Sequence, residues 1–337
     1  MLASERRVLV PPRPALLSPP PARAPLHALC GATMGTTWSV KLLLPQGVTV
    51  GAARGEVEAA LAQVIAAMSQ WEPASDLSRY NRAPAGAWHV LPAHFRRVLD
   101  HALDLAGDTD GAYDPTIGAL VDLWGFGPGG PRVSPPAAAA IAAAMAPIRA
   151  QGGWARVARD GERVLQPGAA RLDFSSIAKG YAVDLVCERL AGLGVHCHLV
   201  EIGGELRGEG VKRDLQPWWV ALEEPLGAAR ETVVALHGLA VATSGDARRF
   251  FDLGGRRYGH TLDPRTGSPV DDRVAAVTVL ARDCMTADAQ ATALTVLGPE
   301  AGMAYATKRH IAARFILRTA KRPEELVTPA FALMMED

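Results

Sequence analysis

The chain has 337 residues, 49% hydrophobic and 21% charged, enough apolar material for the core of one large or two modest domains. Lys plus Arg number 35 and Asp plus Glu number 35, so no whole-molecule field favours nucleic acid or an anionic membrane surface. Its 4 cysteines include no C-x-x-C pair and indicate neither a disulfide framework nor a structural zinc site; no run of about 18 apolar residues is present to span a bilayer as a helix.

Residues 1–28 are rich in Pro and carry several Arg, a composition that predicts an extended, flexible tail. "SERRVLV" (4–10) sets an Arg pair before apolar residues, yet the Pro-broken "PPRPALLSPPPARAP" (11–25) offers no apolar core for a secretory signal, and the chain reads as cytoplasmic. One domain is expected over 29–330, with a short tail at 331–337. "TTWSVKLLL" (36–44) predicts a strand and "EVEAALAQVIAAM" (56–68) an amphipathic helix with Val57, Leu61, Val64 and Met68 on one face. Further helices are expected over 93–107, stopped by Gly107, over 134–145, with Ser134 as N-cap and Pro135 at the first position, and over 181–194, with Gly194 as C-cap.

Strand character recurs at 196–202, 217–224, 232–237, 239–244, 274–280 and 311–317. In "VHCHL" (195–199) alternation places His196 and His198 on one face with Cys197 opposite; they read as strand residues, because ligand sets need three or four members. Helices early and strands late argue for an α+β fold with antiparallel sheets and packed helices, not a regular βαβ winding.

Five stretches hold residues that a core does not need. "GAYDPTIGALVDLWGFG" (111–127) starts a turn at Asp114-Pro115. "LDFSSIAKGYAVD" (172–184) puts Asp173, Ser175, Ser176 and Lys179 at the mouth of a helix whose exposed amides suit an anion, although a solvated surface lysine fits as well. "EIGGELRGEG" (201–210) has paired glycines that either face a flat ligand or make a hairpin turn. "ATSGDARRF" (242–250) leads to "GHTLDPRTGSPV" (259–270), where His260 is either a proton-exchanging loop residue or a structural histidine. "TADAQATALTVLG" (286–298) sets Asp288 and Thr292 on one helix face, Cβ atoms roughly 6 Å apart. Asp288 either charges a first helical turn capped by Thr286 or shares a hard cation with Thr292.

These stretches, with "ATMGTTWSV" (32–40) and "SDLSRYN" (75–81), follow the order seen in the FAD:protein FMN transferase family, the flavin transferases, and the resemblance covers roughly residues 31–330. It implies a T-fold-like flavin transferase domain that binds FAD and Mg²⁺, cleaves the pyrophosphate, releases AMP and joins FMN to a Thr or Ser hydroxyl of a target flavoprotein. Such acceptors are respiratory or redox membrane-complex subunits or FMN-binding domains, modified at a Thr or Ser followed by Gly-Ala-Thr or Gly-Ala-Ser. Carried over, Asp288, Thr292 and Ser176 ligate Mg²⁺. Met34, Trp71, Ala112, Tyr113, Asp114, Asp173, Lys179 and His260 line the FAD site, and His260 is the candidate general base with Asp288 as its rival.

Two alternatives share these residues: a FAD pyrophosphatase that uses water as acceptor, and a FAD-binding protein without turnover. The chain departs from the family where "SSIAKG" stands for "GGIAKG", and where Glu201-Ile202 replaces the Asn that many members carry before the paired glycines. Many members are exported lipoproteins.

Overall fold

The computed structural model describes residues 6–11, 19–22, 24–151, 153–168, 170–227 and 231–335. In chain order the elements begin with β1 (Arg7–Leu9), β2 (Leu26–Thr33), β3 (Thr36–Leu43), α1 (Val50–Met68), α2 (Asp76–Arg82), β4 (Trp88–Val90), α3 (Ala93–Asp108), α4 (Gly118–Leu123) and α5 (Ala138–Gln151). After a single 3-10 turn come β5 (Arg159–Asp160), β6 (Arg163–Leu165), α6 (Ala178–Gly192), β7 (His198–Ile202), β8 (Glu205–Glu209), β9 (Trp218–Ala221), β10 (Thr232–Leu236) and β11 (Leu239–Gly245). The last third holds β12 (Phe250–Leu253), β13 (Arg256–Gly259), β14 (Leu262–Asp263), β15 (Ser268–Pro269), β16 (Val274–Ala281), α7 (Cys284–Lys308), β17 (Ala312–Leu317), β18 (Glu324–Val327) and α8 (Pro329–Ala332).

An 8-stranded sheet, in the order β18-β17-β16-β11-β8-β7-β3-β2, is antiparallel at every pairing. Its β2–β3 hairpin turns on Met34-Gly35, with φ of 48° and 72°, and pairs Thr33 with Thr36. Two left-handed residues in a two-residue loop match the twist of the strands they join. A methionine there is uncommon and needs its surroundings to hold it.

One face of this sheet packs on α1, α3, α6 and α7: Val40, Val57, Leu61, Val64, Phe95, Leu99, Tyr181, Val186 and Val200 share one buried cluster. The other face is covered by a second sheet, β1-β10-β9, through Leu9, Trp218, Val234, Leu236, Val241, Leu280 and Phe331. Each fully buried aliphatic or aromatic side chain contributes roughly 1.5–3 kcal/mol. α6 is buried nearly all round, from Gly180 through Cys187, because the sheet, α1 and α7 all press on it.

Several element ends differ from expectation. The helix expected from residue 56 starts at Val50, where the Thr49 side chain accepts a hydrogen bond from the Ala52 amide at 3.1 Å. The helix expected from residue 134 starts at Ala138, since Pro136 disfavours helical backbone at Pro135 and leaves Ser134 without a capping role.

The tail expectations fail more broadly. Arg7–Leu9 pairs parallel with β10 and buries Leu9 completely, while the Arg7 guanidinium bonds the Glu325 carboxylate at 2.7 and 2.8 Å. Leu26–Thr33 is an edge strand of the main sheet, and at the other terminus Phe331 and Met334 are buried. Residues 1–5, 12–18, 23 and 336–337 of those two segments lie outside the described residues. No helix among the described residues is long and apolar enough to cross a membrane.

Candidate active site

Two acids pin α6 against α7. The N-cap of α7 is Asp283, whose side chain accepts the Thr286 amide at 2.8 Å, so the capping role expected of Thr286 belongs three residues upstream. That frees Asp288 from any capping duty. Its Oδ2 instead accepts the Gly180 amide of α6 at 3.0 Å, across 108 residues of sequence. The helices cross closely because residue 180 has no side chain: a Cβ there would stand 2.3 Å from the Cys284 carbonyl oxygen and 2.8 Å from the Asp288 Cβ. One turn along α6, Asp184 accepts the amides of Cys284 at 2.9 Å and Met285 at 2.8 Å and is paired with Arg207 at 2.7 Å. Those amides are otherwise orphan donors at the start of α7.

At this crossing the Lys179 ammonium is bonded to Glu205 Oε1 on the first residue of β8. Burial pushes the Asp288 and Glu205 carboxyls above their ordinary range, and Lys179 draws both only part of the way back. Burial likewise disfavours the Lys179 ammonium, yet Glu205 and Asp288 outweigh it and hold that pKa above the usual value. One cation and two carboxylates leave the cluster one positive charge short when all three are ionised.

Beside the crossing, the loop before α4 and the loop before α6 run alongside each other, with Asp173 donating its amide to the Pro115 carbonyl at 2.8 Å. The Tyr113 hydroxyl lies 3.0 Å from Ser176 Oγ, joining two of the expected site residues, and burial raises the tyrosine pKa. Asp114 and Asp173 repeat one device. Asp114 Oδ1 accepts the Thr116 amide at 2.7 Å and its hydroxyl at 2.6 Å, and Asp173 Oδ1 accepts the Ser175 amide at 2.7 Å and its hydroxyl. Burial lifts the Asp114 pKa to about 6. Asp173 Oδ2 is buried without a protein partner among the described residues. A buried acceptor of this kind takes a donor from a ligand or water.

Several of the amides at the start of α6, where an anion cradle is expected, are already taken. The amides of Ile177 and Ala178 donate to the Phe174 carbonyl, and that of Gly180 to Asp288. The Lys179 ammonium adds a positive charge at that helix mouth.

His260 follows β13 and is half-buried. Its Nδ1 is 3.2 Å from the Arg249 carbonyl oxygen, which also accepts the His260 amide at 3.1 Å. An Nδ1–H donated there leaves the lone pair on Nε2. Burial, with Arg249 and Lys179 adding to it, lowers the His260 pKa to about 4, so the ring is neutral at pH 7. The Arg249 guanidinium lies 5.9 Å from the Trp71 ring centroid, so one arginine serves both expected residues. Trp71 itself is 51% exposed. Met34 sits at the β2–β3 turn and packs on the main core, Ala112 is buried beside Tyr113, and Thr292 is half-buried one turn beyond Asp288. Two surface grooves near α3, of about 430 and 630 Å³, are lined by none of these residues.

Sequence reasoning passed over Glu205, the Asp184–Arg207 pair and Gly180, although all four lie inside stretches it singled out. A readable signal for Glu205 was a charged residue opening a strand between a glycine pair and an apolar position.

Fold and site together define a class: an α+β enzyme with its charged cluster where two helices cross. The chain belongs to the ApbE family, whose model matches residues 34–315. It is 37% identical over 308 residues to the FAD:protein FMN transferase of Vibrio cholerae, spanning 90% of this chain and 91% of that one. It is 37% identical over 303 residues to that of Haemophilus influenzae, spanning 87% and 86%. The crystal structure of the apo form of Pseudomonas stutzeri flavinyl transferase ApbE superposes with a TM-score of 0.85 at 43% identity, covering 93% of this chain and 97% of that one.

Proposed function

We propose that this chain is a Mg²⁺-dependent FAD:protein FMN transferase. The observation that carries this reading is the Gly180–Asp288 hydrogen bond, which brings the D-x-x-x-T stretch of α7 against the A-K-G stretch of α6 in a chain matched nearly end to end by transferases of that name. Asp288, Thr292 and Ser176 offer oxygen donors only, the set that a hard dication prefers. They are the residues that would hold Mg²⁺. When bound, the ion would offset negative charge on the pyrophosphate oxygens.

The chain's own groups divide the remaining work. Lys179 supplies a second, fixed positive charge at the mouth of α6. Asp173 offers its unpaired buried oxygen to a donor on FAD, and Met34, Trp71 and the Ala112–Asp114 segment line the same substrate. Neutral His260 takes the proton of the incoming Thr or Ser hydroxyl at Nε2. That hydroxyl oxygen forms a bond to the FMN phosphorus as the bridging P–O bond breaks, and AMP leaves.

A peptide containing Thr-Gly-Ala-Thr, incubated with the protein, FAD and Mg²⁺, is expected to gain the mass of one FMN moiety while AMP appears in equal amount. AMP without a modified peptide would mark a FAD pyrophosphatase, and FAD retention without AMP a binding protein.

A further inference from the structure

The β7–β8 turn is made by Gly203 and Gly204, both with positive φ, and nothing in its geometry asks for an acid at the next position. Glu205 is nevertheless there, 3% exposed, one oxygen taken by Lys179 and the other, Oε2, buried with no partner among the described residues. A carboxylate so placed is costly to the fold unless another group needs it. Lys179 is that group. Its ammonium has two carboxylates in range, and among the described residues it is paired with Glu205 and not with Asp288. Asp288 keeps Oδ2 on the Gly180 amide and its other oxygen clear of lysine.

A flexible four-carbon lysine released from Glu205 would turn to the other acid, since opposite charges attract strongly where water is scarce. An ammonium bonded to Asp288 would then compete with a cation for that carboxylate. We propose that Glu205 is a positioning residue that holds the Lys179 ammonium off Asp288 and so keeps the Asp288 carboxylate available to a divalent cation. The inference rests on the metal assignment made under Proposed function, and deepens it.

The test is isothermal titration calorimetry with MgCl₂ and no FAD, on the full chain and three variants. Glu205→Gln is expected to weaken Mg²⁺ binding roughly 10-fold or more, the usual scale for losing a partner of a metal-site residue. Glu205→Asp, which keeps the charge, should lose less. Lys179→Met should bind at least as tightly as the parent, and adding it to Glu205→Gln should restore the lost affinity, because the competitor has gone. A residue that merely supported the fold would give a double variant at least as weak as Glu205→Gln. Unchanged affinity in Glu205→Gln, no recovery in the double variant, or a parent chain that binds no Mg²⁺ would each overturn the proposal. A parent that binds Mg²⁺ with this pattern but releases no AMP from FAD would sink the transferase reading and leave the role of Glu205 standing.

Discussion

Replacing Gly180 with alanine perturbs the helix crossing directly. The added methyl would sit 2.3 Å from the Cys284 carbonyl oxygen, 2.7 Å from its carbon and 2.8 Å from the Asp288 Cβ. Two of these are backbone atoms and cannot rotate aside. Overpacking of a tight contact costs about 1–3 kcal/mol, and the upper end applies here. Alanine recovers about 1 kcal/mol through its better helix propensity. The net expectation is a loss of about 2 kcal/mol of unfolding free energy, roughly a 30-fold shift in the folding equilibrium.

The same displacement moves Asp288 away from the residue 180 amide, so Mg²⁺-dependent AMP release from FAD should fall at least about 10²-fold, the penalty that an ångström of misplacement carries. The assay pairs urea unfolding with AMP release. Gly192→Ala on the same helix is the control, since a Cβ there meets nothing within 4 Å; it should leave stability equal or slightly higher. If Gly180→Ala matched the parent in both measurements, the close crossing would not be what sets the Asp288 position.

Other expectations are more compact. Asp288→Ala should abolish Mg²⁺-dependent AMP release while FAD binding, followed by flavin fluorescence, persists; retained turnover would remove the aspartate from the metal site. His260→Ala should slow FMN transfer by roughly 10²–10⁴-fold in single-turnover mass spectrometry, and an unchanged rate would end its role as base. With a folded-state pKa of about 4, below the ordinary 6.5, His260 stays neutral down to about pH 4, so its acid limb in kcat/KM lies near that pH; a limb near 6.5 that vanished in His260→Ala would contradict this. Over the same window the unfolded chain takes up a proton that the folded chain refuses, so this histidine's contribution to stability is lost as pH falls from about 6.5 to 4. Asp184→Ala should cost about 2 kcal/mol or more in urea unfolding, because it leaves the buried first amides of α7 without an acceptor and takes one of the two carboxylates from Arg207. Leu9→Ala should cost about 2–5 kcal/mol, the price of a cavity under β1, whereas a flexible tail would register no change.

Local chemistry made much of the fold legible. The strands at 36–43, 198–202, 232–236 and 274–281 and the helix at 93–108 follow from side-chain periodicity, which tertiary packing reinforced. The short strand Arg7–Leu9 was hidden because three residues ahead of a proline-rich run carry no period, and its stability comes from a β10 edge found more than 220 residues later. The start of α1 was hidden by Gly51 and Gly55, which weaken local helix preference without preventing the helix.

At the site, the four-residue spacing of Asp288 and Thr292 was readable, but the partner of Asp288 was not, since no local pattern ties it to Gly180. For Glu205 the sequence shows a charge out of place at the start of a strand, but not the partner that explains it, Lys179 on another element.

That long reach across the chain has a consequence for how the protein comes into being. A nascent chain that has emerged through α6 already displays Gly180, yet the Asp288 carboxylate that meets its amide is still some hundred residues from synthesis. No amino-terminal fragment, whether from premature termination or from clipping ahead of α7, can assemble the cluster. On the proposed metal assignment, a fragment that stops short of α7 is expected to release no AMP from FAD.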